Sequence, residues 1–188
     1  MIDNIDIFEN FLSSKECEFI LDKCKEELTL SDAEVDSNNP KTTYIKKSRK
    51  SSVGWIFDLG FLNERLTNKL RETFNINGME VTGYEGAYQF TEYKEGEYFD
   101  WHTDSTDTIY RNRFISIVIQ LNNTYEGGVL EIKNIKGETM PIENKIGTLY
   151  IFNSRLVHRV TPVVTGIRYS LVNWVSLVKT DSKKQNLL

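Results

Sequence analysis

The chain has 188 residues, 39% of them hydrophobic and 12% aromatic, with a formal charge of −4. That length buries a core without disulfides or a structural metal, and the composition belongs to a globular rather than a disordered chain. The acidic balance argues against nucleic acid and anionic membrane as partners, and no run of about 18 apolar residues exists to span a bilayer.

The opening Met1-Ile2-Asp3-Asn4-Ile5-Asp6 lacks a basic stretch followed by an apolar one, so no secretory signal is expected and the expected setting is cytoplasmic. Residues 5–12 form an apolar lead-in ending at Phe11-Leu12. Ser13 and Glu16 make a capping-box pattern, after which Cys17, Ile20, Leu21, Cys24 and Leu28 recur at helical spacing. On one helix the two cysteines lie about 10 Å apart along the axis, too far for a disulfide, and they read as core. Residues 31–52 are polar and end in the basic run Lys46-Lys47-Ser48-Arg49-Lys50. This stretch is expected to be a loop or mobile flap, either simply solvated or closing on an acidic peptide or a phosphate backbone. Trp55-Ile56-Phe57 is apolar, and Leu62, Leu66 and Leu70 mark a second helix that closes near Gly78.

From residue 79 the chain turns to short runs rich in Val, Ile, Tyr, Phe and Thr, with expected strands at 85–93, 98–104, 113–121, 128–133, 147–152, 156–163 and 167–177. Ile115, Ile117, Ile119 and Leu121 alternate with Phe114, Ser116, Val118 and Gln120. Both sets are largely apolar, which predicts a strand covered on both faces. Gly127-Gly128 reads as a turn or strand irregularity. The expected fold is mainly β, a jelly roll buttressed by N-terminal helices. The expected organisation is a single domain over 1–180, with helical support and flap over 1–78, the jelly-roll core over 79–180 and a tail at 181–188.

Both histidines of the chain fall where a metal would want them. His102 and Asp104 are two apart, so on an extended strand they project together; His158 shares a face with Leu156 and Val160. Two imidazoles and one carboxylate with open positions are the ligand set of non-haem Fe(II) oxygenases. A closed structural site would call for a fourth protein ligand, and there is no third histidine. On the last strand Arg168, Ser170, Val172 and Trp174 share one face by period two. An arginine facing the inside of a small β-domain needs an anion, and a dicarboxylate held by the metal at one end and Arg168 at the other supplies it.

These residues stand within an ordered series. Phe11-Leu12-Ser13 with Glu16-Cys17 is followed by Arg49-Lys50-Ser51-Ser52-Val53-Gly54-Trp55 and Tyr93-Lys94-Glu95-Gly96-Glu97-Tyr98 leading to His102-Thr103-Asp104. Gln120-Leu121-Asn122, Glu126-Gly127-Gly128-Val129-Leu130 and Gly147-Thr148-Leu149-Tyr150-Ile151-Phe152 come next. His158-Arg159-Val160, Gly166-Ile167-Arg168-Tyr169-Ser170 and Trp174 close it. The series resembles the Fe(II)/2-oxoglutarate-dependent dioxygenases, specifically their prolyl 4-hydroxylase-like branch, over most of the chain. The resemblance implies a double-stranded β-helix with His102, Asp104 and His158 as iron ligands. It implies Arg168 on the distal carboxylate of 2-oxoglutarate, with Ser170 and the Tyr93 hydroxyl as further contacts. Some members carry lysine where this chain has Arg168, which preserves the charge. The implied cofactors are Fe(II), 2-oxoglutarate and O2, with ascorbate as a stimulant. The implied reaction couples decarboxylation of 2-oxoglutarate to succinate and CO2 with hydroxylation of a C–H bond.

The implied substrate is a peptide or protein, or a small molecule, with Arg49, Trp55, Tyr98 and Trp174 as candidate contacts. Packing competes as the role of Tyr93, Tyr98, Trp101 and Trp174, and Ser170 can be there only because it is small. A nucleic-acid demethylase uses the same iron site, but such enzymes carry a further arginine after the one that grips 2-oxoglutarate, and none follows Arg168. A noncatalytic binding module on the same fold predicts loss of a ligand or of the co-substrate arginine, and His102, Asp104, His158 and Arg168 are all present.

Overall fold

In the computed structural model, which describes residues 5–33, 48–75, 79–84, 86–107 and 110–179, the first helix starts at the capping box. It is α1 (Ser14–Glu27). The Ser13 N–H donates to Glu16 Oε2 at 2.8 Å, and Ser13 Oγ accepts from the Glu16 N–H at 3.3 Å. Two donors left open at a helix start are thereby satisfied reciprocally. One stripe of α1, Cys17, Ile20 and Cys24, is fully buried. The second helix, α2 (Phe61–Asn75), buries Leu62, Leu66, Leu70 and Phe74 at intervals of four. Arg65 of α2 donates to both Glu16 carboxylate oxygens, at 3.1 and 2.7 Å, and to the Phe11 carbonyl at 3.0 Å. The cap of one helix is thus locked to the flank of the other.

The N-terminal strands are β1 (Asp6–Phe8), β2 (Ser31–Asp32), β3 (Arg49–Lys50) and β4 (Ser52–Ile56). After α2 come β5 (Met79–Tyr84), β6 (Tyr88–Tyr93), β7 (Tyr98–His102), β8 (Ile115–Gln120), β9 (Tyr125–Gly127) and β10 (Leu130–Lys133). The last five are β11 (Thr139–Pro141), β12 (Leu149–Asn153), β13 (His158–Val160), β14 (Val163–Gly166) and β15 (Arg168–Lys179). The major sheet has 8 strands in the order β1-β12-β8-β15-β6-β4-β2, with β5 also on β15. The minor sheet has 5, in the order β11-β10-β13-β7-β3, and β14 pairs with β9 in a ribbon of 2.

These antiparallel sheets form the expected jelly roll. One face of the major sheet (Phe90, Ile117, Ile119, Ile151, Leu171) packs under the buried stripes of α1 and α2. Its other face brings Val118, Tyr150 and Phe152 against Leu130, Ile132 and Ile142. Every residue of β8 is buried, as its two apolar sets predict. No described helix is long and apolar enough to cross a membrane.

Three features differ from the sequence reading. The N-terminal part contributes four strands as well as two helices. Its lead-in pairs with β12, and Trp55-Ile56 lies in β4 beside β6. Both ends of the polar 31–52 stretch are strand, because backbone ladders accept polar side chains at a sheet edge. Residues 34–47, and with them most of the predicted flap, lie outside the described residues, as do the helix end near Gly78 and the tail at 181–188. The run predicted over 156–163 divides into β13 and β14, which belong to different sheets.

The Glu16–Arg65 pair gives an acid-stability prediction. Hydrogen bonds from Arg65 and Ser13 lower the Glu16 pKa from 4.5 to about 2. A depressed folded-state pKa contributes stability that is full above 4.5 and lost as pH falls through about 2. The two side chains are 29% and 40% exposed, so solvent screening limits the pair to about 0.5–1 kcal/mol at neutral pH. Urea unfolding of Glu16→Gln should show that deficit at pH 7, and the gap to wild type should close between pH 4.5 and 2.

Candidate metal centre

Strands β7 and β13 run antiparallel with His158 directly opposite His102. The next pair is Val160 with Phe99, so β7 carries one residue more than β13 over this span. That bulge lets Phe99 and His102, three apart in sequence, point to the same inner face. The Phe99 ring lies flat on the His102 imidazole, with centroids 3.4 Å apart and planes within 11°. The two imidazoles are 4.1 Å apart, and Phe152 meets His158 edge-on at 4.9 Å.

Each imidazole is held the same way. His102 Nδ1 is 2.8 Å from the Asp100 carbonyl, and His158 Nδ1 is 2.8 Å from the Leu156 carbonyl. A carbonyl only accepts, so each Nδ1 carries a hydrogen, and Nε2 is the atom through which the neutral ring would bind a metal. Those Nε2 atoms lie 3.6 Å from Asp104 Oδ1 and Oδ2 respectively. The three donor atoms fall within 4.8 Å of one another.

Asp104 sits just past β7, its N–H donating to the Ser154 carbonyl at 2.9 Å. Ser116 Oγ donates to Asp104 Oδ2 at 2.6 Å and contacts Ser154 Oγ at 2.9 Å. Burial resists ionisation of Asp104, but the two imidazoles and Ser116 hold its pKa well below the usual carboxylate range. Burial, aided by His102, pushes His158 down to about 4, against the pull of Asp104. At neutral pH the cluster therefore offers a carboxylate and an uncharged His158 imidazole, the donor state a divalent cation requires. Three donors on one side leave positions open for exogenous ligands.

The same inner face holds Arg168, 2% exposed and without a carboxylate at ion-pair distance among the described residues. Its Nη1 donates to Ser170 Oγ at 2.9 Å, and its Nε has no hydrogen-bond partner. Tyr93, opposite Arg168 on β6, places its ring 5.4 Å from the guanidinium carbon. Tyr125 lies in the field of Arg168, and its buried hydroxyl has no other partner among the described residues. Thr91, paired with Ser170, likewise has a buried unpartnered hydroxyl. At Gly128, with φ +55°, a Cβ would come within 3.1 Å of both Arg168 Cδ and Tyr125 Cε2, so only glycine leaves this pocket its shape. A buried cation ringed by idle donors fits the carboxylate of a bound oxo-acid.

The sequence-predicted residues are thus largely brought together. His102, Asp104 and His158 converge, and Tyr93 and Ser170 flank Arg168. Trp174 is buried against the guanidinium of Arg113 at 3.7 Å, and Trp55, 41% exposed, is 6.3 Å from the Trp174 ring. Arg49 donates to Gln89 Oε1 at 3.2 Å. Tyr98 has the opposite parity to Phe99 and turns to the other face of β7. Trp101 also faces outward, between Lys133 and Arg159. Sequence reasoning missed Phe99, Ser116, Ser154 and Tyr125; only Ser116 carried a signal, as the small polar residue in an apolar strand.

Residues 88–176 match the sequence model of the 2OG-Fe(II) oxygenase superfamily. A PKHD-type hydroxylase of Synechococcus sp. (strain CC9311) is 39% identical over 94 residues, 48% of this chain and 42% of that protein. One from Shewanella oneidensis is 30% identical over 105 residues, 53% of this chain and 46% of that protein. The chain spans about half the length of the curated relatives it matches. Among solved structures, a Pseudomonas putida prolyl-4-hydroxylase superposes with TM-score 0.70 at 22% identity, over 92% of this chain and 91% of that one. A Trichoplax adhaerens prolyl hydroxylase, in complex with a hypoxia inducible factor oxygen degradation domain peptide fragment, gives 0.77 at 18% identity, over 93% and 84%. These two likenesses are of fold.

Ser116 gives a direct check on how Asp104 is held. Ser116→Ala removes the hydroxyl donor without adding bulk, and divalent-metal affinity should fall on the order of tenfold. Titration with Co(II) reads the change, and an unaltered thermal midpoint separates it from loss of fold.

Proposed function

We propose, for a chain whose residues 88–176 match the sequence model of the 2OG-Fe(II) oxygenase superfamily, an Fe(II)- and 2-oxoglutarate-dependent hydroxylase acting on a C–H bond of a peptidyl, prolyl-like substrate. The observation that carries this reading is a two-ended inner face. The His102, Asp104 and His158 donors lie at one end, and at the other lies a buried Arg168 with no carboxylate partner among the described residues. When bound, Fe(II) with 2-oxoglutarate and O2 supplies decarboxylation of the oxo acid to succinate and CO2 together with hydroxylation.

The chain's own part is to bind, orient and exclude water. His102 and His158 present Nε2 lone pairs because their Nδ1 hydrogens are committed to carbonyls. Asp104, oriented by Ser116, offsets part of the metal charge. Arg168 takes the distal carboxylate, with Ser170, Tyr93 and Tyr125 around it, and the anion in turn neutralises a guanidinium that is costly to bury alone. Ascorbate stimulation belongs to the same reading.

The peptide assignment draws on an aromatic cluster. Trp55, 41% exposed, stands 6.3 Å from the buried Trp174, and the Arg113 guanidinium lies 3.7 Å from the Trp174 ring and 3.9 Å from the Tyr110 ring. Such surfaces suit a proline ring and a peptide backbone. The peptide seen on the Trichoplax protein, whose fold this chain shares, supports the same class of substrate.

The test is anaerobic addition of Fe(II) and then 2-oxoglutarate, read by the visible charge-transfer band of the chelate and by succinate release on admitting O2. Wild type should give both, and His158→Ala should lose iron. Arg168→Ala should keep metal affinity while its 2-oxoglutarate requirement rises roughly ten- to hundredfold, as losing about 1.5–3 kcal/mol of hydrogen bonding to a charged group implies. A folded wild type with no band would replace the enzyme reading with a noncatalytic binding role.

A further inference from the structure

The two histidines are not held equally well. The His158 side chain is 7% exposed, and Phe152 meets it edge-on within the core. His102 is 18% exposed, and besides its Nδ1 bond and its neighbours Asp104 and His158 it has the flat Phe99 ring covering one face. Something must therefore hold Phe99.

Arg49 does so. It stands directly opposite Phe99 in the β3–β7 pair, with its guanidinium carbon 4.5 Å from the ring centroid. One ring face is closed by His102 at 3.4 Å, which leaves the guanidinium the other. The guanidinium is itself fixed: Nε donates to Ser51 Oγ at 2.8 Å and Nη2 to Gln89 Oε1 at 3.2 Å. Gln89 lies on β6 of the major sheet and Arg49 on β3 of the minor one, so the arginine also spans the gap between sheets. A stack of guanidinium, phenyl ring and imidazole then runs from the sheet edge to a candidate metal ligand.

We infer that Arg49 is a positioning residue for His102, acting through Phe99. The inference rests on the metal-centre reading and goes beyond contact with substrate, the role the sequence resemblance implies for Arg49. A planar cation over an aromatic face is favourable and directional, and here it sets the plane of the ring that sets the plane of the imidazole. Partners that orient a metal ligand typically change metal affinity 10–100-fold when removed.

Co(II) titration tests this, because both affinity and the visible spectrum report ligand geometry without turnover. Arg49→Ala and Phe99→Ala should each raise the Co(II) dissociation constant about tenfold. In the Phe99→Ala background Arg49→Ala should add nothing, since the path is already cut. Arg49→Lys should fall between, keeping a cation over the ring but losing the fork. An Arg49→Ala effect of equal size in both backgrounds would mean that it acts through Gln89 and the sheet junction, and would overturn the inference. So would a folded Arg49→Ala protein with unchanged affinity and spectrum. Should Arg49→Ala not fold, Arg49→Lys and Phe99→Leu decide, and unchanged Co(II) spectra in both overturn it. A wild type that binds no Co(II) would instead bring down the metal-centre reading itself.

Discussion

The site depends on one strand pairing. Antiparallel register between β7 and β13 sets His102 across from His158, two residues 56 positions apart in sequence (158 − 102). The bulge in β7 then decides which neighbours accompany His102 inward. Without the extra residue, strict alternation would turn Phe99 outward and leave one face of the imidazole bare. Asp104 joins because the chain leaves β7 directly after His102 and is caught by Ser154 and Ser116. A shift of that register by one residue would separate His158 from His102 and Asp104.

Electrostatics explains why this arrangement asks for ligands. The inner face of the jelly roll holds the ionised Asp104 carboxylate, two imidazoles and the buried Arg168 guanidinium in mostly apolar surroundings. Asp104 is stabilised by its neighbours, whereas Arg168 has, among the described residues, a serine hydroxyl and two tyrosines but no carboxylate. Burying a charge on such terms is unfavourable, and a cation at one end with an anion at the other would remove the imbalance. The helices take no part in this chemistry. They seal the opposite face of the major sheet, so that β15 can turn Arg168 and Ser170 inward while Tyr169 and Leu171 pack under α1 and α2.

Much of this was legible in the chain. The stripes of α1 and α2 follow a helical period, and the Ser13–Glu16 box marks the first start. The faces of β8 and β15 follow a period of two, which puts Arg168 and Ser170 on the side that also receives Tyr93. The donor types and the His102–Asp104 spacing marked His102, Asp104 and His158 as a candidate metal site, and the three converge. The short polar strands β2 and β3 were not legible, because their stability comes from partners far along the chain rather than from their own side chains. Tyr98 was a candidate substrate contact, and that its neighbour Phe99 lies against His102 was not legible, because a bulge reverses parity and has no reliable local signature.

The sequence by itself determined which side chains could bind a metal and an oxo-acid, and which stripes and alternations would be buried. Those properties are local: they depend on residue type and on the two short periods of helix and strand. Only the tertiary structure decided that Phe99 lies on His102, that Arg49 lies over Phe99, that Ser116 and Ser154 hold Asp104, and that Tyr125 faces Arg168. Each of these contacts joins segments whose relative position is set by strand register and sheet packing, and that information exists only once the whole core has closed.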